Sequence, residues 1–446
     1  MLTGILIFLS QERMQREDAI SIFQAAVAAV QPAHLMHQHV RCRDGVLSVC
    51  DQSFNITDGS TVWVFGAGKA AASMAQALEQ ILTGVQLKGL VITKYEHALP
   101  LKHIILKEAA HPVPDENGVK ATAEMAALLR STGPEDIVLF LLSGGASALL
   151  ADYPAGADLA QVQQVFSLLL KSGADIYEMN IVRKHLSAVK GGQLPLLANT
   201  KAWCSLILSD VVGDDLSIIG SGPTVADPST FGDAMAVLDK YALTSQLPPV
   251  IHAHLQQGCA GKIAETPKPG HADLAHVHNF LTGSNHIALE AAKKQAISLG
   301  YDTEILSSTA TGQATDLAEK LVSAARSWPG KKPGCILMGG ESTVTVKGDG
   351  LGGRNQQLAL AAGILLENIP GILILSAGTD GTDGPTDAAG AFSDKELMQK
   401  AIEKELDADA YLYHNNAWHF FEKTGGLIKT GPTQTNVMDI MLAIIS

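Results

Sequence analysis

Apolar positions fall in short unbroken runs separated by longer amphipathic stretches. The runs at 61–65 (TVWVF), 89–93 (GLVIT), 136–142 (DIVLFLL) and 203–209 (WCSLILS) read as strands buried on both faces. Between them lie helical patterns: 17–30, stopped near Pro32, one after Gly68, one at about 118–130, and several before residue 203. Residues 180–190 (NIVRKHLSAVK) read as a helix ending at Gly191, with Asn180, Arg183, Ser187 and Lys190 on one polar face. Strands alternating with helices of this length predict parallel βαβ units with right-handed crossovers. The stretch 260–273 is polar and rich in Pro and Gly, a linker or edge loop. A second alternating set comes after it, with strands near 277–282, 301–306, 334–338 and 371–376 and helices near 285–299, 312–326 and 354–366. A closing strand is expected in NVMDIMLAII. The pattern predicts two α/β domains with a boundary within 260–275.

Composition narrows the partners. The 446 residues exceed one ordinary core, and 46% are apolar. Lys plus Arg number 32 against 45 Asp plus Glu, a net charge of −13, which argues against nucleic acid or an anionic membrane. Five scattered cysteines with no C-x-x-C pair suit a reducing, cytoplasmic setting and neither a disulfide framework nor a thiolate zinc site. The histidines from His252 to His278 match no zinc spacing, and a polar linker explains them better. Residues 2–9 are apolar but too short to span a bilayer, and they lack a basic leader and a cleavage site. Met14 reads as a better start than Met1, so residues 1–13 read as an upstream extension.

The chemistry lies in the loops that the strands run into. Five apolar runs end in glycine-rich polar loops: GAGK (66–69), SGGAS (143–147), SDVVGDD (209–215), GGEST (339–343) and SAGTDGTDGPTD (376–387). In a parallel sheet such loops gather along the carboxyl edge, where ligands bind. Glycine lets amides approach oxygen atoms, and helix starts behind the loops favour anions. Any one such loop is ordinary in a doubly wound fold; five together are not. As a dinucleotide fingerprint, Gly66, Gly68 and Ala71 are weakened by Lys94, which stands where a ribose-binding acid is wanted. As a P-loop, GAGK is too short and lacks the following Ser or Thr. Phosphoryl transfer needs carboxylates, cations and a base together. The chain offers Asp210, Asp214 and Asp215 after one strand, Asp380, Asp383 and Asp387 after another, and Lys69 and Arg354 at helix starts. Capping accounts well enough for Asp214 and Asp387; Asp210 and Asp380 are taken as functional. His111 in HPVP also reads as a plain turn residue.

Seven motifs in unbroken order resemble the glycerate 2-kinase family: GAGKAA, HPVPDENG (111–118), SGGASALL (143–150), MNIVRKHLSAVKGGQL (179–194), SDVVGDDLSIIGSGPTVADP (209–228), GGESTVTVKGDGLGGRNQQLAL (339–360) and SAGTDGTDGPTDAAGA (376–391). The resemblance runs from about residue 17 to the C-terminus. It implies an N-terminal Rossmann-like α/β domain at 16–268 and a smaller C-terminal MOFRL-type α/β domain at 272–446, after an extension at 1–15. It also implies an active site in the interdomain cleft, lined by Lys69 and Arg354. The implied reaction moves the γ-phosphate of ATP, with Mg²⁺, to the 2-hydroxyl of D-glycerate. The alternative is an NAD(P)H-dependent hydroxypyruvate reductase, a label some relatives carry. Gly66, Gly68 and Lys69 are expected to hold a nucleotide phosphate or the glycerate carboxylate. Ser143, Gly144, Gly145 and Ser147 form a second cradle, Ser221 and Gly222 a third. Arg183 and Lys190 are expected to bind substrate, Asp210 and Glu341 the metal. Asp380 is expected to be the base and Arg354 to stabilise the moving phosphoryl group. A homodimer stands as an open expectation.

Overall fold

The computed structural model describes residues 2–446, with side chains from Met14 onward; the expected extension therefore falls largely outside the described side chains. The chain divides into two compact units, residues 35–282 and residues 283–446 together with 1–34. The expected boundary at 260–275 compares with 282/283. The N-terminal helix Leu2–Ala29 packs with the C-terminal residues rather than with the sequence immediately after it. Its partners explain why. Tyr301 donates to Asp18 at 2.7 Å, Gln295 donates to Ser21 at 3.1 Å, and Arg16 pairs with Asp394 at 2.6 Å.

The 35–282 unit begins with a three-stranded antiparallel ribbon, β1 (Val40–Arg43), β2 (Val46–Val49) and β3 (Gln52–Asn55), which no sequence pattern announced. Six further strands come next: β4 (Val62–Ala67), β5 (Leu87–Lys94), β6 (Ile105–Ala109), β7 (Ile137–Leu142), β8 (Ala202–Leu208) and β9 (Val277–Gly283). They form one sheet in the order β6-β5-β4-β7-β8-β9, and every pairing from β6 to β8 is parallel. The central strands β4, β7 and β8 are buried throughout, as their unbroken apolar runs require. Strand order reverses between β4 and β7. That switch point places GAGK beside SGGAS at one carboxyl edge.

In the other unit lie β10 (Asp302–Gln313), β11 (Gly334–Thr343), β12 (Ile372–Gly378), β13 (Gly390–Asp394), β14 (Leu427–Ile428) and β15 (Asp439–Ile445). Their order is β10-β11-β15-β12-β13-β14. Only β10 and β11 pair in parallel; the C-terminal β15 runs antiparallel between β11 and β12. The alternating pattern suggested a parallel sheet here too. The closing strand inserts centrally instead, and that reversal brings its first residue, Asp439, level with Gly340 of β11 and Gly378 of β12. Helices Ala314–Arg326 and Arg354–Leu366 cover the sheet's apolar face, with Leu317, Leu321, Leu358 and Ala362 buried in the core.

Candidate active site

At the switch point the two glycine loops are fastened to each other. The Lys69 N–H donates to Gly144 O at 2.9 Å, the Ala70 N–H to Ser143 Oγ at 3.0 Å, and the Ser143 N–H to Ala67 O at 3.1 Å. Gly68 sits at φ +136°, and a Cβ there would meet Ser143 Oγ at 2.1 Å, so only glycine fits. Gly66 is required likewise, since its Cβ would lie 2.6 Å from Leu141 O. The GAGK amides are therefore spent on structure, and the expected amide cradle there is replaced by a single group, the Lys69 ammonium. The Gly144 and Gly145 N–H groups have no acceptor among the described residues. They are the open amides of this edge.

Around them the charge is positive. Lys69, Lys94, His97 and His111 are half-buried neighbours, and neither lysine has a carboxylate partner among the described residues. Burial, then Lys69, Lys94 and His97, push His111 down to about 4, so it is neutral near pH 7. Burial and Lys94 also lower His97. A Cβ on Gly145 would lie 2.9 Å from the His111 ring and 3.5 Å from Lys69 Cγ, which places all three together. One on Gly144 would lie 2.0 Å from Asp210 Oδ2, so the Asp210 carboxylate abuts the same turn. His97 and His111 were undervalued in the sequence because each sits in a loop remote from GAGK.

Next to this cluster is a second one. Ser147 and Ser221 hydroxyls share a hydrogen bond at 2.7 Å, Ser221 donates to Asn180 Oδ1 at 2.7 Å, and Arg183 Nη1 donates to Ser147 Oγ at 3.0 Å. Arg183 lies over the Phe166 ring at 4.8 Å. It makes no ion pair among the described residues, although Asp152 lines a small cavity with it, and burial draws its pKa down to about 10. Asn180 is 1% exposed and its Nδ2 finds no acceptor. The helix here is Ile176–His185, not 180–190, because capping by Asp175 and Glu178 starts it early and Leu186 ends it. Ser187 and Lys190 consequently leave the Arg183 face. Both turn to Asp152, Ser187 donating at 2.6 Å and Lys190 pairing at 3.5 Å, while Lys190 also donates to Leu150 O. Buried and so engaged, Lys190 lines a small cavity together with Arg183, Ser187 and Asp152. Gly222, at φ +59°, bonds back to Gly192 through its carbonyl, leaving the third cradle with only the Ser221 hydroxyl. His254 lies on the helix Pro249–Cys259 and its Nε2–H donates to His185 O at 2.9 Å, so the histidine-rich stretch is not wholly linker.

In the 283–446 unit the arrangement is reversed. Arg354 begins the helix Arg354–Leu366 and is clasped by carboxylates: Nε to Asp439 Oδ2 at 2.6 Å, Nη2 to Asp439 Oδ1 at 3.0 Å, and Nη1 to Glu341 Oε1 at 2.8 Å. Burial alone would lower its pKa, but Asp439 and Glu341 outweigh burial and raise it. Asp439 is fully buried, whereas the Glu341 side chain is 45% exposed. Glu341, expected at the metal, is thus an arginine partner here. Asp383 accepts the Asn355 and Gln356 N–H groups at 3.0 and 2.9 Å, and burial and Asp439 push it up to about 6. Asp380, expected as the base, accepts the Thr382 N–H at 3.0 Å in an Asx-type turn. Asp439 was invisible in the sequence, since nothing in NVMDIM says that its strand enters mid-sheet.

Within the 35–282 unit, ammonium groups and two amides without an acceptor among the described residues suit an anionic, phosphate-bearing ligand; within the other unit, Arg354 is a guanidinium on a glycine-flanked helix start. Among the described residues no group of three His, Cys, Asp or Glu side chains could hold a metal ion alone. No single helix among the described residues is long and apolar enough to cross a membrane, and all five cysteines are free.

Two family models match, a domain of unknown function (DUF4147) over residues 18–256 and the MOFRL family over 334–439. A glycerate 2-kinase of Pyrococcus horikoshii is 40% identical over 97% of this chain and 97% of its own. A putative hydroxypyruvate reductase of Agrobacterium vitis is 41% identical over 86% of each chain. The crystal structure of a glycerate kinase from Thermotoga maritima is similar with a TM-score of 0.86 at 37% identity, covering 97% of this chain and all of that one.

Proposed function

The chain belongs to the glycerate 2-kinase family, and on that premise we propose that it transfers the γ-phosphate of ATP to the 2-hydroxyl of D-glycerate, in the cytoplasm. The observation that carries this reading is the cluster at the switch point of the parallel sheet of lysines without an ion pair and amides without an acceptor among the described residues, with the Asp210 carboxylate beside them. Two cations, Lys69 and Arg354, are assigned roles in this reading. Lys69 holds an anionic oxygen of a substrate, helped by the Gly144 and Gly145 amides. Arg354, aimed by buried Asp439, meets charge developing on the transferring phosphoryl group once its exposed partner Glu341 gives way. A Mg²⁺ ion bound with the phosphates would neutralise their charge. Asp210 and Glu341 are the carboxylates that would hold it, and Asp380 receives the hydroxyl proton.

The reductase alternative is the label of two relatives from Agrobacterium vitis, and it meets one structural obstacle. Lys94, not an acid, ends β5, and the GAGK amides that a pyrophosphate would need are already bonded. The test is ADP release with D-glycerate run beside NADH oxidation with hydroxypyruvate. D-glycerate-dependent ADP formation is expected. NADH consumption without ADP would overturn the proposal.

A further inference from the structure

A cavity of about 570 Å³ opens within the 35–282 unit between the two clusters, reaching from His111 and Gly145 to Ser147 and Arg183. Its remaining walls are mostly apolar: residues 112–114, Ala148, Phe166, Leu170 and Met179. At its rim Val113 and Leu170 are 61% and 70% exposed. Glycerate does not suit such walls. Every carbon of that three-carbon acid bears oxygen, and burial against Phe166 and Leu170 would strip its hydrogen bonds without return. A flat heteroaromatic ring suits them, and the volume falls in the range of small-ligand sites. At the polar end Arg183 makes no ion pair among the described residues, although Asp152 lines the small cavity adjoining it. Behind it, the buried Asn180 keeps a side-chain N–H without an acceptor among the described residues. The orientation of Asn180 is fixed by Arg183 and Ser221, which both donate to Oδ1. A guanidinium that makes no ion pair among the described residues, at the end of an apolar slot, calls for a ligand with an anionic group attached to an apolar ring.

We propose that this cavity takes the adenine and ribose of the nucleotide, with Arg183 and Ser147 binding its phosphate, so that ATP docks on the 35–282 unit. The proposal rests on the kinase reading for the identity of the nucleotide. It also assigns Phe166, Leu170 and Met179 a role in choosing the phosphoryl donor.

The experiment is photolabelling of the full chain with 2-azido-ATP, followed by peptide mapping. Label is expected on peptides holding residues 111–114 or 163–179, and excess ATP should protect them. Ser167→Trp, at an exposed position lining the cavity, should cut that labelling at least tenfold. It should raise KM for ATP by a similar factor and leave KM for D-glycerate within twofold. Leu170→Glu at the rim should act in the same direction. Labelling confined to the similar-sized cavity lined by Thr343, Thr345 and Lys347 would overturn the proposal. So would Ser167→Trp weakening D-glycerate alone. Protected label in the expected peptides without any D-glycerate-dependent ADP release would uphold the cavity and remove the kinase reading.

Discussion

Lys69 ends a strand-to-helix turn with no carboxylate partner among the described residues, whereas Arg354 begins its helix gripped by two. The two units thus treat their key cations oppositely. In the 35–282 unit an ammonium is left open and its neighbours His97 and His111 are kept neutral, so the local field awaits an anion. In the other unit a guanidinium is held in a fixed direction by a buried carboxylate, with an exposed carboxylate closing the remaining face. An open cation recruits; a clasped one is aimed. The difference predicts that removing each will do different damage.

Arg354→Ala should lower kcat about a hundredfold, roughly 3 kcal/mol of transition-state stabilisation. It should also destabilise the fold by roughly 2–4 kcal/mol, because Asp439 is left buried and unpaired. Assay and thermal melt together check both. Unchanged melting with lost activity would mean that Asp439 does not depend on its partner. Asp439→Asn keeps the shape and loosens the aim. We expect kcat to fall about tenfold to a hundredfold with KM for D-glycerate little changed, since misplacing a donor costs rate before binding. A KM effect alone would make Asp439 merely structural.

Asp383 sharpens the contrast through pH. Its native pKa of about 6 lies above the unfolded carboxyl value, so its contribution to stability is full below about pH 4 and declines as pH rises through 6. Asp383→Asn should remove a fall of about 1–3 kcal/mol from the stability profile between pH 4 and 6.5. Identical profiles for wild type and variant would contradict this. The smallest effect is expected at His111. An anion arriving beside it raises its pKa from about 4, so binding takes up a proton and ATP affinity should tighten about threefold to tenfold from pH 7 to 5. His111→Gln should flatten that slope. A flat slope in the wild type would place the anion elsewhere.

The sequence announced what local pattern controls. Apolar runs located β4, β5, β7 and β8 to within a few residues, and the helix Arg354–Leu366 lies where its periodicity put it. Glycine loops after those strands pointed to Lys69 and Arg354 as the cations of interest. What depends on long-range pairing was hidden. The antiparallel entry of β15 delivers Asp439 from the far end of the chain, and the fastening of GAGK to SGGAS consumes amides that looked free. The start of the Arg183 helix was set by an Asp175–Glu178 capping box, which moved Lys190 off its face. The weak β1–β3 ribbon, with only Val40, Leu47 and Val49 buried, carried too little hydrophobic signal to be read.

The most direct test is Lys69→Ala, assayed for D-glycerate-dependent ADP release and melted in parallel. An open cation makes no ion pair to lose, so turnover should fall at least a hundredfold while the melting midpoint stays within about 2 °C of wild type. Wild-type turnover in that variant, or a collapse of the fold, would contradict the account.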